Sequence, residues 1–193
     1  YGQLLDQKFA QSYETYLGWI GDHHRVLGST GVGRIGSANP REGFVGDPHR
    51  GLYYHPDILD GVRPDDAVFR TETFGPLVGV AGYHNLDKAI ELANLPGYGL
   101  SSSIYTTDPS KAFRFRRGIS AGMVSVNNST SGAEAHLPFG GNGRSGNGSR
   151  QSGQWVLDQF TRWQAMNWDY SGSLQKAQMD TLSIDADLGF RLG

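Results

Sequence analysis

Two glycine-rich stretches, six histidines and a run of arginines are the parts of this sequence whose residue types could do chemistry. Gly31-Val-Gly-Arg-Ile-Gly36 has the letters of a dinucleotide fingerprint. That motif works only where a helix starts, so that its first amides face a pyrophosphate. Asn39, Pro40, Gly43 and Gly46 follow instead, and the stretch reads as an ordinary loop. Residues 140–148 lack the Gly-Lys-Ser/Thr ending of a phosphate cradle and read as a structural turn. His23 and His24 are adjacent and no His-Glu-x-x-His spacing occurs, so hydrogen-bonding or surface roles are expected and no metal set is. Arg114-Phe-Arg-Arg117 reads as a solvated helix face. With no cysteine, a disulfide framework, a zinc-thiolate centre and a thiol nucleophile are excluded within these 193 residues, and no catalytic residue is assigned.

Composition narrows the classes further. The formal net charge is −2 with both signs interleaved, so neither a nucleic-acid face nor an anionic-membrane face is indicated. No apolar stretch approaches the roughly 20 residues of a membrane span, and no signal core opens the chain, so the expected location is cytoplasmic. Tyr1 in place of an initiator methionine suggests that the natural N-terminus lies upstream or was removed. Glycine, at 28 residues, is about twice its average usage of roughly 7%, which predicts many turns.

Such residues need elements to position them. Asp6 followed by Phe9, Tyr13, Leu17 and Ile20 predicts a capped amphipathic helix over 7–20. A short strand at 25–27, a long loop over 28–52 and a short strand at 52–54 follow. Residues 77–83 are apolar without alternation, as in a strand covered on both faces. Leu86, Ala89, Ile90 and Ala93 make a helical stripe. Residues 103–106 read as a strand, and Asp108 with Pro109 starts a helix bearing Phe113 on its apolar face. Met123–Val126 is the next strand. Strand, helix, strand, helix, strand predicts right-handed βαβ units in a parallel sheet, and hence an α/β fold. A short helix over 155–159 and a strand over 161–168 complete the chain's readable part.

The stretch Glu72-Thr-Phe-Gly-Pro76 sits just before the apolar strand at 77–83. Ala93-Asn94, Tyr98-Gly-Leu100, Tyr105-Thr-Thr-Asp108, Gly122-Met-Val-Ser-Val-Asn127 and Pro138-Phe-Gly-Gly141 with Ser145-Gly146 follow in order. Together these resemble the C-terminal portion of the aldehyde dehydrogenase superfamily, from residue 2 to about residue 168. The resemblance implies three parts: the end of a catalytic domain over 1–153, a helix and oligomerisation strand over 154–168, and a tail over 169–193.

By that resemblance Glu72 binds the hydroxyls of a nicotinamide ribose and Phe74 packs on the nicotinamide ring of NAD or NADP. A carboxylate suits the first task, since it accepts two hydrogen bonds. Taken without the family, Phe74 reads as a core aromatic ahead of a strand. Phe139, Gly132 and His136 would line the aldehyde tunnel and its mouth. The turn after Pro138-Phe-Gly-Gly141 lacks the lysine that many members carry two residues on, and resembles benzaldehyde- and vanillin-type enzymes. The family's cysteine nucleophile and general base would lie upstream of Tyr1, so the chain alone is expected to be inactive. Expected partners are an aldehyde, the missing N-terminal portion, and a second subunit paired through the strand at 161–168. The alternative is a stand-alone non-catalytic module serving assembly or weak nucleotide binding.

Overall fold

The computed structural model describes residues 2–28 and 31–170, with Gly172 and Gly189, so nearly all of the expected tail over 169–193 lies outside the described residues. Helix α1 (Gln7–Leu17) begins where Asp6 accepts hydrogen bonds from the Lys8 and Phe9 amides at 2.8 and 3.1 Å, a cap that stabilises a helix by about 1 kcal/mol. It stops at Gly18, earlier than the expected residue 20, and the chain tightens through Trp19 N–H to Tyr16 C=O. Its inward face carries Ala10 and Tyr13, one helical turn apart.

Strand β1 (Arg25–Leu27) pairs antiparallel with β2 (Asp57–Asp60), and β2 pairs parallel with β3 (Leu77–Val80). The strand expected at 52–54 is absent: Tyr54 makes a single bridge to Arg34, and the ladder starts three residues later. Acidic residues at both ends of β2 hide it from a hydrophobicity reading. Leu59 and Leu77 face α1 and join Ala10, Tyr13, Tyr54, Val62 and Val68 in the core. Tyr13 and Tyr54 meet edge to face, with ring centroids 5.1 Å apart.

The opposite face of this sheet is open. Leu27, Ile58 and Val78 stand in one register row and Val80 lies beside them, all exposed. This corrects the expectation of a strand covered on both faces, because no element among the described residues packs on that side.

Helix α2 (Ala67–Arg70) is a single turn leading to residues 71–76 and β3. Helix α3 (Leu86–Asn94) is capped by Asn85, whose side chain accepts from the Lys88 amide at 2.9 Å. After β4 (Tyr98–Gly99) comes β5 (Ser101–Ile104), two residues earlier than expected because its serines carry little strand signal. Helix α4 (Pro109–Gly118) has the expected Asp108 cap and first-position proline. The buried aromatic is Phe115 and not the expected Phe113, which is 61% exposed. The short alternation Phe113-Arg-Phe115 leaves both rings available, and the fold buries only the second.

Strand β6 (Met123–Val126) pairs parallel with β5, so β5, α4 and β6 form one βαβ unit. The β3–α3–β5 segment does not close in the same way, since β3 and β5 belong to separate sheets. The fold is α/β, with parallel pairing in two places rather than one continuous sheet. Asn94 ties the ends of α3 and α4 together, donating to Gly118 C=O at 2.8 Å and accepting from the Ser120 amide at 2.9 Å. Asn127, at φ 54°, extends the β5–β6 ladder by bonding both the N–H and the C=O of Thr106.

Strand β7 (Asn142–Gly143) pairs with β4, and α5 (Leu157–Phe160) follows a short 3-10 turn at Gln154–Val156. Residues 161–168, expected as a strand, form none. A strand needs a second backbone, and among the described residues none lies beside this run.

Candidate cofactor and substrate site

Residues 71–76 leave α2, cross α1 and enter β3. Gly75 passes directly over the Tyr13 ring, where any β-carbon would collide. The Leu77 amide donates to Gly75 C=O at 2.8 Å, and Pro76 C=O accepts from the Asp57 amide at 2.9 Å. With both sides held, Phe74 is left at φ 45°, a left-handed conformation that costs a bulky residue of order 1–3 kcal/mol.

Phe74 is also 71% exposed, and its ring lies 6.5 Å from that of Phe9. The reading as a core aromatic therefore fails: the fold spends strain to keep this ring outside. Glu72, two residues earlier, lies on the wall of a cavity of about 1010 Å³ between the β3 side and the β5 side of the molecule. Thr71 and Thr73 flank it there, while Leu77, Ile104 and Phe115 supply apolar wall. A carboxylate between two hydroxyls on one wall suits a polar sugar; the Phe74 ring is not part of that wall.

The second group of expected site residues lies on another part of the chain. Phe139 is half-buried and bridged to Gln151, with N–H to C=O distances of 2.6 and 2.8 Å. His136 is exposed in a turn secured by Gly153 N–H to Ala135 C=O at 2.9 Å. Gly132 is exposed at φ 91°, which glycine adopts readily. Glu72 and Phe74 thus share one segment and Phe139 and His136 another, and among the described residues no hydrogen bond or ring contact joins the two segments. Of the five, only Glu72 lines the large cavity.

The turn after Phe139 is locked. Gly143 sits at φ 58°, and a β-carbon there would come within 2.5 Å of Gly97 C=O, so a lysine does not fit this backbone. Arg150 donates to the Asn142 side chain at 2.7 Å, and Arg144 stacks over Tyr98 at 4.6 Å from the ring centre. Residues 31–36 form the expected loop, with no helix behind them.

One cluster escapes a sequence reading. His23, His24 and Asp66 converge, with both histidine Nε2 atoms within 3.1 Å of the Asp66 carboxylate. Two adjacent histidines and an aspartate some 40 residues on form no motif; only the pairing of β1 with β2 brings them together. Burial disfavours the Asp66 carboxylate, but the Arg63 amide, His24 and His23 outweigh it and hold the group well below the ordinary aspartate range.

A sequence profile of the aldehyde dehydrogenase family matches residues 37–166. The aminoacetaldehyde dehydrogenase of Pseudomonas aeruginosa is 43% identical over 118 residues, which are 61% of this chain and 24% of that protein. The NAD(+) benzaldehyde dehydrogenase of Pseudomonas putida is 35% identical over 119 residues, 62% of this chain and 24% of its own. Among solved structures, the indole-3-acetaldehyde dehydrogenase of P. syringae, holding NAD+, superposes with a TM-score of 0.70 at 29% identity. That match covers 83% of this chain and 30% of the other. The chain spans about a quarter of the length of the curated relatives it matches. With the profile covering most of the sequence, and the Glu72–Pro76 and Pro138–Gly141 stretches inside it, this chain belongs to the aldehyde dehydrogenase family.

Proposed function

We propose that the chain is the C-terminal part of an NAD(P)-dependent aldehyde dehydrogenase. In this reading Glu72 accepts hydrogen bonds from the nicotinamide ribose and Phe74 packs on the nicotinamide ring. Phe139, His136 and Gly132 border the aldehyde's path. The observation that carries the proposal is Phe74, held exposed at φ 45° two residues from a carboxylate on a cavity wall. Strain retained at an exposed aromatic points to a ligand that uses it.

Bound NAD(P) supplies the hydride acceptor. This chain's residues supply orientation: two carboxylate acceptors fix the ribose, and the ring face limits how the nicotinamide turns. The thiolate chemistry of the family needs a cysteine, which these 193 residues lack. The chain alone is therefore expected to show no NAD(P)-dependent aldehyde oxidation, and turnover at an ordinary enzymatic rate would refute the argument from the missing nucleophile. The stand-alone module reading fits less well, because the open row of Leu27, Ile58 and Val78 needs a cover.

The substrate is read as an aromatic aldehyde. Support comes from the turn after Phe139, where Gly143 stands in place of the lysine that many members carry, and from the benzaldehyde dehydrogenase among the relatives. The test uses the protein that carries this chain in full, with benzaldehyde as substrate. Glu72→Gln keeps the shape but weakens hydrogen bonds to a charged group, which are worth about 1.5–3 kcal/mol. The KM for the dinucleotide should rise about tenfold or more. An unchanged KM removes Glu72 from the cofactor site, and faster turnover of acetaldehyde than of benzaldehyde removes the aromatic assignment.

A further inference from the structure

The His23–His24–Asp66 cluster lies outside the cofactor and substrate groups, yet it touches the segment that presents Glu72. The proton on each ring can be placed. Gly21 N–H points at His24 Nδ1 at 2.9 Å, so that nitrogen is an acceptor and carries no proton. In the neutral ring the proton then sits on Nε2, which donates to Asp66 Oδ2 at 2.9 Å. His23 Nε2 donates to the same carboxylate, 3.1 Å from both oxygens. The Arg63 amide completes the set at 2.6 Å. One carboxylate thus gathers three donors, and the central histidine is 1% exposed.

This set of atoms also has the composition of a zinc site, two imidazoles and a carboxylate. The ring protons decide against it. A metal on His24 Nε2 requires the proton on Nδ1, where it would face the Gly21 N–H. The cluster is complete as hydrogen bonds without an ion.

What it joins is specific. His23 and His24 sit in the turn between α1 and β1, and Asp66 is the residue before α2. From Asp66 one helical turn leads to Thr71 and Glu72. Arg70 Nε closes that turn onto Pro64 C=O at 2.7 Å, and Val68 plugs it into the core. The position of Glu72 is therefore inherited from where Asp66 is held. We propose that His23 and His24 are positioning residues, which act through Asp66 to fix the Glu72 segment. The inference rests on reading Glu72 as the ribose-binding carboxylate.

The test is hydrogen exchange by mass spectrometry, paired with cofactor kinetics, on the protein that carries this chain in full. Asp66→Ala and His24→Ala should speed exchange in peptides covering 61–76 at least tenfold, leave 101–126 unchanged, and raise the dinucleotide KM severalfold. His24→Gln places an amide N–H near the lost Nε2–H and should restore most of both effects. Unchanged exchange in 61–76, or an equal rise in 101–126, overturns the proposal. So does slower exchange of 61–76 in the unaltered protein on adding Zn²⁺, which would identify a metal site. If Glu72→Gln raises KM while Asp66→Ala does not, the positioning role fails alone. If Glu72→Gln leaves KM unchanged, it is the reading of Glu72 that fails.

Discussion

Tyr54 shows how a single buried group ties the protein's stability to pH. It is 1% exposed, lies against the Tyr13 ring, and donates from its hydroxyl to Glu14 at 2.6 Å. Burial, and then the Glu14 carboxylate, disfavour the phenolate and push the pKa from 10.0 up to about 12. The folded chain thus holds its proton where the unfolded chain has lost it. Tyr54 adds stability that is fully present below 10.0 and is lost as pH rises toward about 12. Urea midpoints should fall between about pH 10 and about pH 12, and Tyr54→Phe should flatten that slope. An equally steep fall in the variant would assign the pH dependence to other groups. At the same scale, the family was legible in the contiguous Glu72–Pro76 stretch, which lies inside the matched profile. Asp66 and its histidines were not, because their meaning arises only across a strand pairing.

Among the elements, the helices announced themselves best where caps and stripes coincide. Asp6 and Asp108 accept from the first turn of the helices they precede, and those two starts were readable from type and position alone; Asn85 does the same for α3, of which only the apolar stripe was readable. The strands were harder. Asp57–Asp60 has only two apolar residues between its carboxylates, and Ser101–Ile104 is three-quarters serine, so contact rather than composition makes them strands. In α4 the sequence offers two phenylalanines and the packing uses Phe115, which is 6% exposed against 61% for Phe113. Phe115 also borders the large cavity, so part of its surroundings is already loose. Phe115→Ala should still cost about 3 kcal/mol, near the low end for a core aromatic, and Phe113→Ala about 0.5 kcal/mol or less. Chemical denaturation of both variants decides: comparable losses would mean that α4 seats both rings.

For the whole molecule, two apolar surfaces remain without cover among the described residues, and they differ in kind. Leu27, Ile58, Val78 and Val80 form a flat row on one sheet face, which needs side chains packed against it. Residues 161–170 expose Trp163, Met166, Trp168 and Tyr170 on a backbone that belongs to no strand here. Such a run can satisfy its amides and carbonyls by joining another chain's sheet edge, which supplies both order and apolar burial. That makes it the stronger candidate for subunit contact, and backbone chemistry offers a selective test. Ala165→Pro removes one amide donor and fixes one φ in the middle of the run. Within a single chain it should cost almost nothing, since Ala165 is exposed and outside every helix and strand. If the run pairs with a neighbouring subunit, the same change breaks the ladder at its centre. Light scattering of the protein that carries this chain should then show a smaller assembly, with the melting temperature of the dissociated subunit unchanged. An assembly of undiminished mass would mean that subunit contact lies elsewhere, with the open sheet face as the next surface to test.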